Sequence, residues 1–327
     1  MSSRTFTYLG PNIASVDAVM SGSAVMADGT SLRSWRFGDG FNNDRTVPSP
    51  VIEAIEGQTV EVTLTSMMPH TIHFHGLDVN QANDGVGSTS GFVSQNPPGG
   101  GFGRVEGYTN LGSPFTYTFT APHAGTYMYH CHVDTVLHLE MGMYGTVIVR
   151  PPDGSPTTAW ESGPTFDREY VWHLHTFDST WHFDQGPFIS GPATVRHRPD
   201  FFLINGRDGV QTLYDPTTAI TASAGEKVLI RATNVGYQPA VIQLGGLEFD
   251  VIASDGRPLR STVQTDVQMI VPGERYDLLL TMPEGTDTQA TVDYYDIRLG
   301  GILGTATTSV KAIIFADGFE SGDTSRW

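Results

Sequence analysis

Two short segments gather the side chains most able to bind a metal ion: Met68-Pro69-His70-Thr71-Ile72-His73-Phe74-His75-Gly76, and Tyr129-His130-Cys131-His132 with His138 and Met143 downstream. If both are strands, side chains alternate between faces. His73 and His75 then share one face while His70 points to the other, and His130 and His132 share a face that Cys131 opposes. Set side by side, the strands present one pocket with His70 and Cys131 and a second with four imidazoles. The loop after Cys131 can add His138 and Met143 to the first pocket. Two histidines, a thiolate and a weak axial methionine form the ligand set of a blue-copper electron-transfer site. Met141 competes for the axial role. A single histidine is most often a hydrogen-bonded or surface ring, and a single methionine is most often core packing. Four imidazoles from two His-X-His pairs are different: they cannot share a face as apolar core, because each brings polar nitrogens that need partners. A metal accounts for all four at once.

The elements that must carry these groups are short β-branched and aromatic runs punctuated by Gly, Pro, Asn and Asp. Thr59-Val60-Glu61-Val62-Thr63-Leu64-Thr65 and Phe115-Thr116-Tyr117-Thr118-Phe119 are examples in the first half, and Lys227-Val228-Leu229-Ile230-Arg231 and Tyr276-Asp277-Leu278-Leu279-Leu280 in the second. No stretch sustains a helical period. The expected fold is all-β, two Greek-key β-sandwiches. With 327 residues the chain is long enough for two ordinary domains. The turn-rich Pro151-Pro152-Asp153-Gly154-Ser155-Pro156 marks the boundary, giving domains at 1–150 and 166–315 joined by a linker over 151–165. The Gly- and Pro-rich stretch 95–101 reads as a surface loop, and 316–327 as a polar tail outside the fold.

Charge and cysteine content exclude several functions. With 18 Lys and Arg against 35 Asp and Glu, a net charge of -17 repels phosphate backbones and anionic membrane surfaces, so nucleic acid is not an expected partner. The single cysteine, Cys131, rules out an intrachain disulfide framework and leaves one thiol for chemistry. No apolar run is long enough to span a membrane, and Met1-Ser2-Ser3-Arg4 lacks an apolar signal core.

His-Phe-His-Gly at 73–76, then His-Cys-His at 130–132 with a following His and Met, resembles the multicopper oxidase family. The resemblance covers most of the first half, including Asp84-Gly85-Val86, His123-Ala124-Gly125-Thr126-Tyr127 and Gly142-Met143-Tyr144-Gly145. In the second half, Phe202-Leu203-Ile204-Asn205-Gly206-Arg207, Ile252-Ala253-Ser254-Asp255-Gly256 and Pro272-Gly273-Glu274-Arg275-Tyr276-Asp277 resemble the family's non-blue domains. The resemblance implies cupredoxin-like domains and about four coppers per chain, a type 1 copper plus a trinuclear type 2/type 3 cluster. His70, Cys131, His138 and Met143 would take the type 1 role, and His73, His75, His130 and His132 half of the cluster. One departure stands out: His138 lies seven residues after Cys131, two more than is usual in the family.

A cluster of this family takes eight imidazoles, so the second half is expected to supply His173, His175, His182 and His197, with the cluster shared between subunits of a homotrimer resembling the related copper nitrite reductases. None of these four stands where the family's metal-binding signatures fall. The resemblance further implies a secreted or periplasmic laccase-like oxidase. It would take single electrons from a phenolic or metal-ion donor and pass them to dioxygen, with Asp84 delivering protons or, equally well, serving as a turn residue before Gly85. Two rivals remain. A copper nitrite reductase would carry an aspartate where this chain has His73 and a small residue where it has His132. A cupredoxin-like electron carrier would hold one copper and leave four imidazoles without a metal.

Overall fold

The computed structural model describes residues 8–38, 47–66, 70–86, 114–183 and 196–313. The 95–101 loop and the 316–327 tail lie outside these residues. The protein is all-β, and no helix among the described residues exceeds six residues.

Four sheets form two sandwiches. In the first half, a sheet ordered Tyr8–Leu9, Val51–Ile55, Tyr144–Arg150, Gly125–His130, His73–His75 faces one ordered Ser31–Gly38, Ile13–Val25, Thr59–Thr65, Phe115–Thr120. The alternation read in 59–65 is the cause: Val60, Val62 and Leu64 are fully buried and the residues between them are not. Burial of each such side chain contributes about 1.5–3 kcal/mol. Phe74, Tyr127, Tyr129, Val147 and Val149 meet them from the opposing sheet. In the second half, Phe201–Ile204, Arg168–Phe177, Lys227–Asn234, Arg275–Thr281, Phe249–Ser254 and Arg257–Thr265 form a six-stranded sheet over a five-stranded one, around Trp172, Ile230, Leu278, Ile242 and Val292.

No described strand of the first half pairs with one of the second. The connecting segment is nonetheless packed: Ala159 is buried with Phe166, Leu229, Ile252 and Leu279 of the second half, and Trp160 packs against them. The halves also share a buried polar chain. Arg150 bonds Glu53 (2.6 Å) and Glu169 (2.7 Å), Arg231 bonds Glu169 (2.7 Å), Asp277 (3.2 Å) and Thr126 (2.8 Å), and Thr126 closes on Asp277 (2.5 Å). Burial works to raise the Glu169 carboxyl, but Arg150 and Arg231 outweigh it and hold it down at about 2. Two guanidiniums thus link Glu53 and Thr126 of the first half to Glu169 and Asp277 of the second.

Candidate metal centres

Strand His73–His75 pairs antiparallel with Gly125–His130, setting His73 opposite His130 and His75 opposite Met128. Gly76 follows the first strand at φ +86°, a conformation that favours glycine, and a Cβ there would push the Arg275 guanidinium, 2.1 Å away, out of place. Because directly opposed residues of an antiparallel pair point to the same side, His73, His75 and His130 gather on one face, and His132 joins them just past the strand end.

On that face the rings of His73, His75, His130 and His132 lie 5.1 to 6.0 Å apart between neighbours. His75 Nδ1 and His130 Nε2 face each other at 3.3 Å. Two nitrogens bound to one ion at about 2.0–2.1 Å, with a roughly tetrahedral angle between them, sit about 3.3 Å apart, so the pair is spaced for a shared metal. Other contacts set the tautomers. His130 Nδ1 donates to the Cys131 carbonyl (3.0 Å) and His73 Nδ1 to the Asp84 carbonyl (2.8 Å), with the Asp84 carboxylate 3.1 Å away. Each keeps its Nε2 lone pair for a metal. Asp84 therefore orients His73. The backbone N–H of His132 donates to Thr71 Oγ1 (3.0 Å). Burial, and after it neighbouring positive charge, keeps His75 neutral, its pKa down at about 4; burial likewise holds His130 at about 3.

The opposite pocket is buried. Cys131 Sγ lies 3.5 Å from His70 Nδ1 and 3.0 Å from His138 Nδ1. Burial lowers His70 to about 3 and His138 to about 4, and raises the Cys131 thiol to about 12, so a bound cation is what would make this sulfur a thiolate. The two extra residues between Cys131 and His138 are absorbed by a short helix, Thr135–Glu140, entered through Asp134 at φ +46°. Met143 ties the loop together: its N–H donates to the His138 carbonyl (2.9 Å) and its carbonyl accepts from Cys131 (3.1 Å). Met141 is equally buried, but its carbonyl bonds Trp35 (2.7 Å). Both donor sets thus suit copper, a two-nitrogen, one-sulfur set with a thioether nearby and a cluster of imidazoles.

Within one chain the second-half histidines are brought to neither set. His173 is fully buried, with Nε2 against Thr146 Oγ1 (2.7 Å) and Nδ1 against Asn205 Oδ1 (3.3 Å). His175, also fully buried, bonds the Thr176 carbonyl (2.7 Å) and stacks on Tyr144 at 5.1 Å. His182 Nδ1 donates to the Arg33 carbonyl (2.6 Å), and its Nε2 lies 3.5 Å from Glu140 Oε1. His197 Nε2 donates to Glu140 Oε2 (3.1 Å). The remaining histidine of the 11, His123, is exposed. Within one chain the imidazole face therefore gathers four of the eight imidazoles a trinuclear cluster takes.

Sequence reading missed Glu140. It is fully buried, accepts from His197 (3.1 Å) and the Asp178 N–H (2.6 Å), lies 3.5 Å from His182 Nε2, and so ties the helix bearing His138 to the second half. Burial acts to raise its pKa, but the two imidazoles prevail and hold it at about 2. Its signal was present in the sequence: a lone carboxylate in the apolar run Val136-Leu137-His138-Leu139-Glu140-Met141 must find partners if that run is buried. Arg275, which stands against Gly76 and lowers the pKa of His75, was read only as a fold marker.

Comparison with known proteins gives a consistent result. Two family models, each described as multicopper oxidase, match residues 23–153 and 177–316. A copper-containing nitrite reductase of Neisseria meningitidis serogroup B is 28% identical over 254 residues, covering 74% of this chain and 55% of its own. Laccase-20 of Oryza sativa subsp. indica is 27% identical over 245 residues, covering 72% of this chain and 38% of its own. The chain thus spans about half the length of these relatives or less. A blue copper oxidase from Nitrosomonas europaea superposes with a TM-score of 0.69 at 25% identity, covering 93% of this chain and 86% of that one.

Proposed function

The chain belongs to the multicopper oxidase family, and on that premise we propose that it is a laccase-like oxidase, taking single electrons from a small reducing donor and delivering them to dioxygen. The observation that carries the proposal is the adjacency of the two donor sets. His130, Cys131 and His132 are consecutive, so the pocket of His70, Cys131, His138 and Met143 is joined to the imidazole face by covalent bonds alone.

Copper in these sets supplies one-electron redox chemistry at the first and dioxygen reduction at the second. The chain's own residues do the rest. Burial keeps His70, His75, His130 and His138 neutral and able to donate lone pairs. Asp84 fixes the His73 ring, and its carboxylate, about a quarter exposed, is placed to pass protons inward from solvent. His132 is only half-buried, leaving this face open toward solvent. Assembly into a homotrimer, with the cluster shared between subunits and completed by second-half histidines, and export to the periplasm or beyond complete the proposal. Among the described residues no helix is long and apolar enough to cross a membrane.

A second reading, copper-dependent nitrite reduction, is favoured by one observation: His73, His75 and His130 bring their donor atoms within 4.8 Å of one another, a complete set for a single copper. His132, with its ring 5.4 Å from His73, is left over in that reading and is used in the oxidase. The discriminating assay gives the copper-loaded protein a reducing phenol under dioxygen, and separately a reductant with nitrite under argon. Oxygen uptake without nitrite loss is the expected result; nitrite loss without oxygen uptake would transfer the assignment to the second reading.

A further inference from the structure

A concavity of about 510 Å³ opens on the second half, within the usual volume range of small-molecule sites. Its polar lining is strongly biased. Arg196, Arg198 and Arg298 contribute three guanidiniums, and Asp296 the one carboxylate. In a chain with only 18 cationic residues and a net charge of -17, three at one hollow is a local reversal of sign. Asp296 does not cancel it. One of its oxygens is occupied by the backbone N–H groups of Arg298 (2.8 Å) and Leu299 (3.0 Å), and the other reaches Arg298 and Arg196 only at 3.5 and 3.9 Å. The guanidinium groups of Arg196 and Arg298 are half-exposed and, among the described residues, held only by these long contacts with Asp296, which they share. Between them lie apolar surfaces: Ile297 and Leu303 are exposed to water, 69% and 39% respectively, and the Tyr237 ring forms part of the wall.

The hollow also adjoins the helix that carries His138. The Tyr237 hydroxyl donates to the carbonyl of Val136, two residues before His138. His197, edge-on to Tyr237 at 5.1 Å, bonds Glu140, two residues after it. Both ends of the His138 helix are therefore held by residues that line the hollow.

Resting on the oxidase reading above, we infer that this hollow is the site of the reducing substrate and that it takes aromatic anions, phenols bearing a carboxylate. The carboxylate would meet the guanidiniums in charge-assisted hydrogen bonds, and the ring would cover Ile297, Leu303 and Tyr237. Each phenol gives up one electron and its hydroxyl proton to become a phenoxyl radical. Four such turnovers convert one dioxygen and the four protons to two waters, so electrons and atoms balance.

The test begins with copper-free protein, by calorimetric titration with 4-hydroxybenzoate and with its methyl ester. The acid is expected to bind at least tenfold more tightly, and that preference to vanish in the Arg196→Glu/Arg298→Glu double variant, whose thermal melt is recorded as the folding control. A second variant, Leu303→Glu, puts a negative charge on the apolar wall without touching an arginine and is expected to weaken the acid more than the ester. Equal binding of acid and ester, or a preference that survives both variants, would overturn the inference. Copper-loaded protein separates it from the underlying reading: phenol oxidation with no preference for the acid sinks the anion site alone, whereas selective binding without any oxygen uptake leaves the site standing and removes the oxidase.

Discussion

His75 Nδ1 faces His130 Nε2 at 3.3 Å although the residues are 55 apart in sequence. Their strands are paired so that His73 opposes His130, which puts the imidazoles of both segments on one side of the sheet. Replacing His75 with alanine removes one of the two facing donors while leaving Cys131, His70 and His138 in place. His75→Ala should lose copper from the imidazole face and lower turnover at least a hundredfold while keeping the blue absorption of the Cys131 centre. Loss of the blue band together with turnover would show that the two donor sets are not separable.

Asp84 orients His73 through its carbonyl and carboxylate. Outer-shell partners of this kind are worth roughly 10–100-fold in metal affinity or activity. Asp84→Ala should weaken copper retention on the imidazole face within that range. If instead copper content is unchanged and only the pH profile of turnover moves, proton delivery is the dominant role of this carboxylate.

Met143 and Met141 are equally buried, but Met143 exchanges backbone hydrogen bonds with both Cys131 and His138. Met143→Leu should shift the visible spectrum and raise the potential of the type 1 centre, whereas Met141→Leu should cost stability alone. A spectral shift confined to Met141→Leu would reverse the axial assignment.

The groups that meet Glu140, the Asp178 N–H, His197 and His182, all come from the second half. Removing a buried, hydrogen-bonded carboxylate leaves the Asp178 N–H and the His197 ring without their acceptor, at roughly 1–3 kcal/mol for each buried group, so Glu140→Ala should lower the melting temperature by several degrees and uncouple the His138 helix from the second half. Urea unfolding of the copper-free variant is the check. A loss below about 0.5 kcal/mol, the size of a neutral surface change, would mean that the buried bonds seen here contribute nothing net.

Acid should destabilise the copper-free protein in two stages. Burial lowers His173 and His175 from 6.5 to about 4, so the unfolded chain binds protons there that the folded chain refuses. Their contribution is complete above pH 6.5 and is lost as the pH falls from 6.5 toward 4, at roughly 1.4 kcal/mol per pH unit for each ring. Glu169, held at about 2 against 4.5, adds a second loss as the pH falls from 4.5 toward 2. Melting temperatures measured from pH 8 to pH 3 test this. A flat profile between 7 and 5 would contradict the burial of the two imidazoles as uncharged rings.

Much of this was readable from residue order, for physical reasons that can be named. Alternation over 59–65 and 73–75 fixes which side chains face inward, because a strand has a period of two, and so His70 and Cys131 separate from the other imidazoles before any coordinates are known. What could not be read is long-range. His173 and His175 have the same His-X-His spacing as His73 and His75, yet lie on a strand buried on both faces, between Lys227–Asn234 and Phe201–Ile204, where Thr146, Asn205 and Tyr144 satisfy or cover their rings. Spacing places two rings on one face; whether that face meets a metal, a hydroxyl or a tyrosine depends on the opposing sheet. Glu140 was missed for the same reason, since its partners lie 42 and 57 residues away at His182 and His197.

The most direct test of the central claim is copper content per chain and visible absorption, measured side by side on copper-loaded wild-type protein and Cys131→Ser. Expected are a blue thiolate band and at least two coppers per chain in the wild type, with the band and one copper lost in the variant and the rest retained by the imidazoles. A single copper per chain that disappears entirely with Cys131 would contradict the account, leaving an electron carrier whose four facing imidazoles hold no metal.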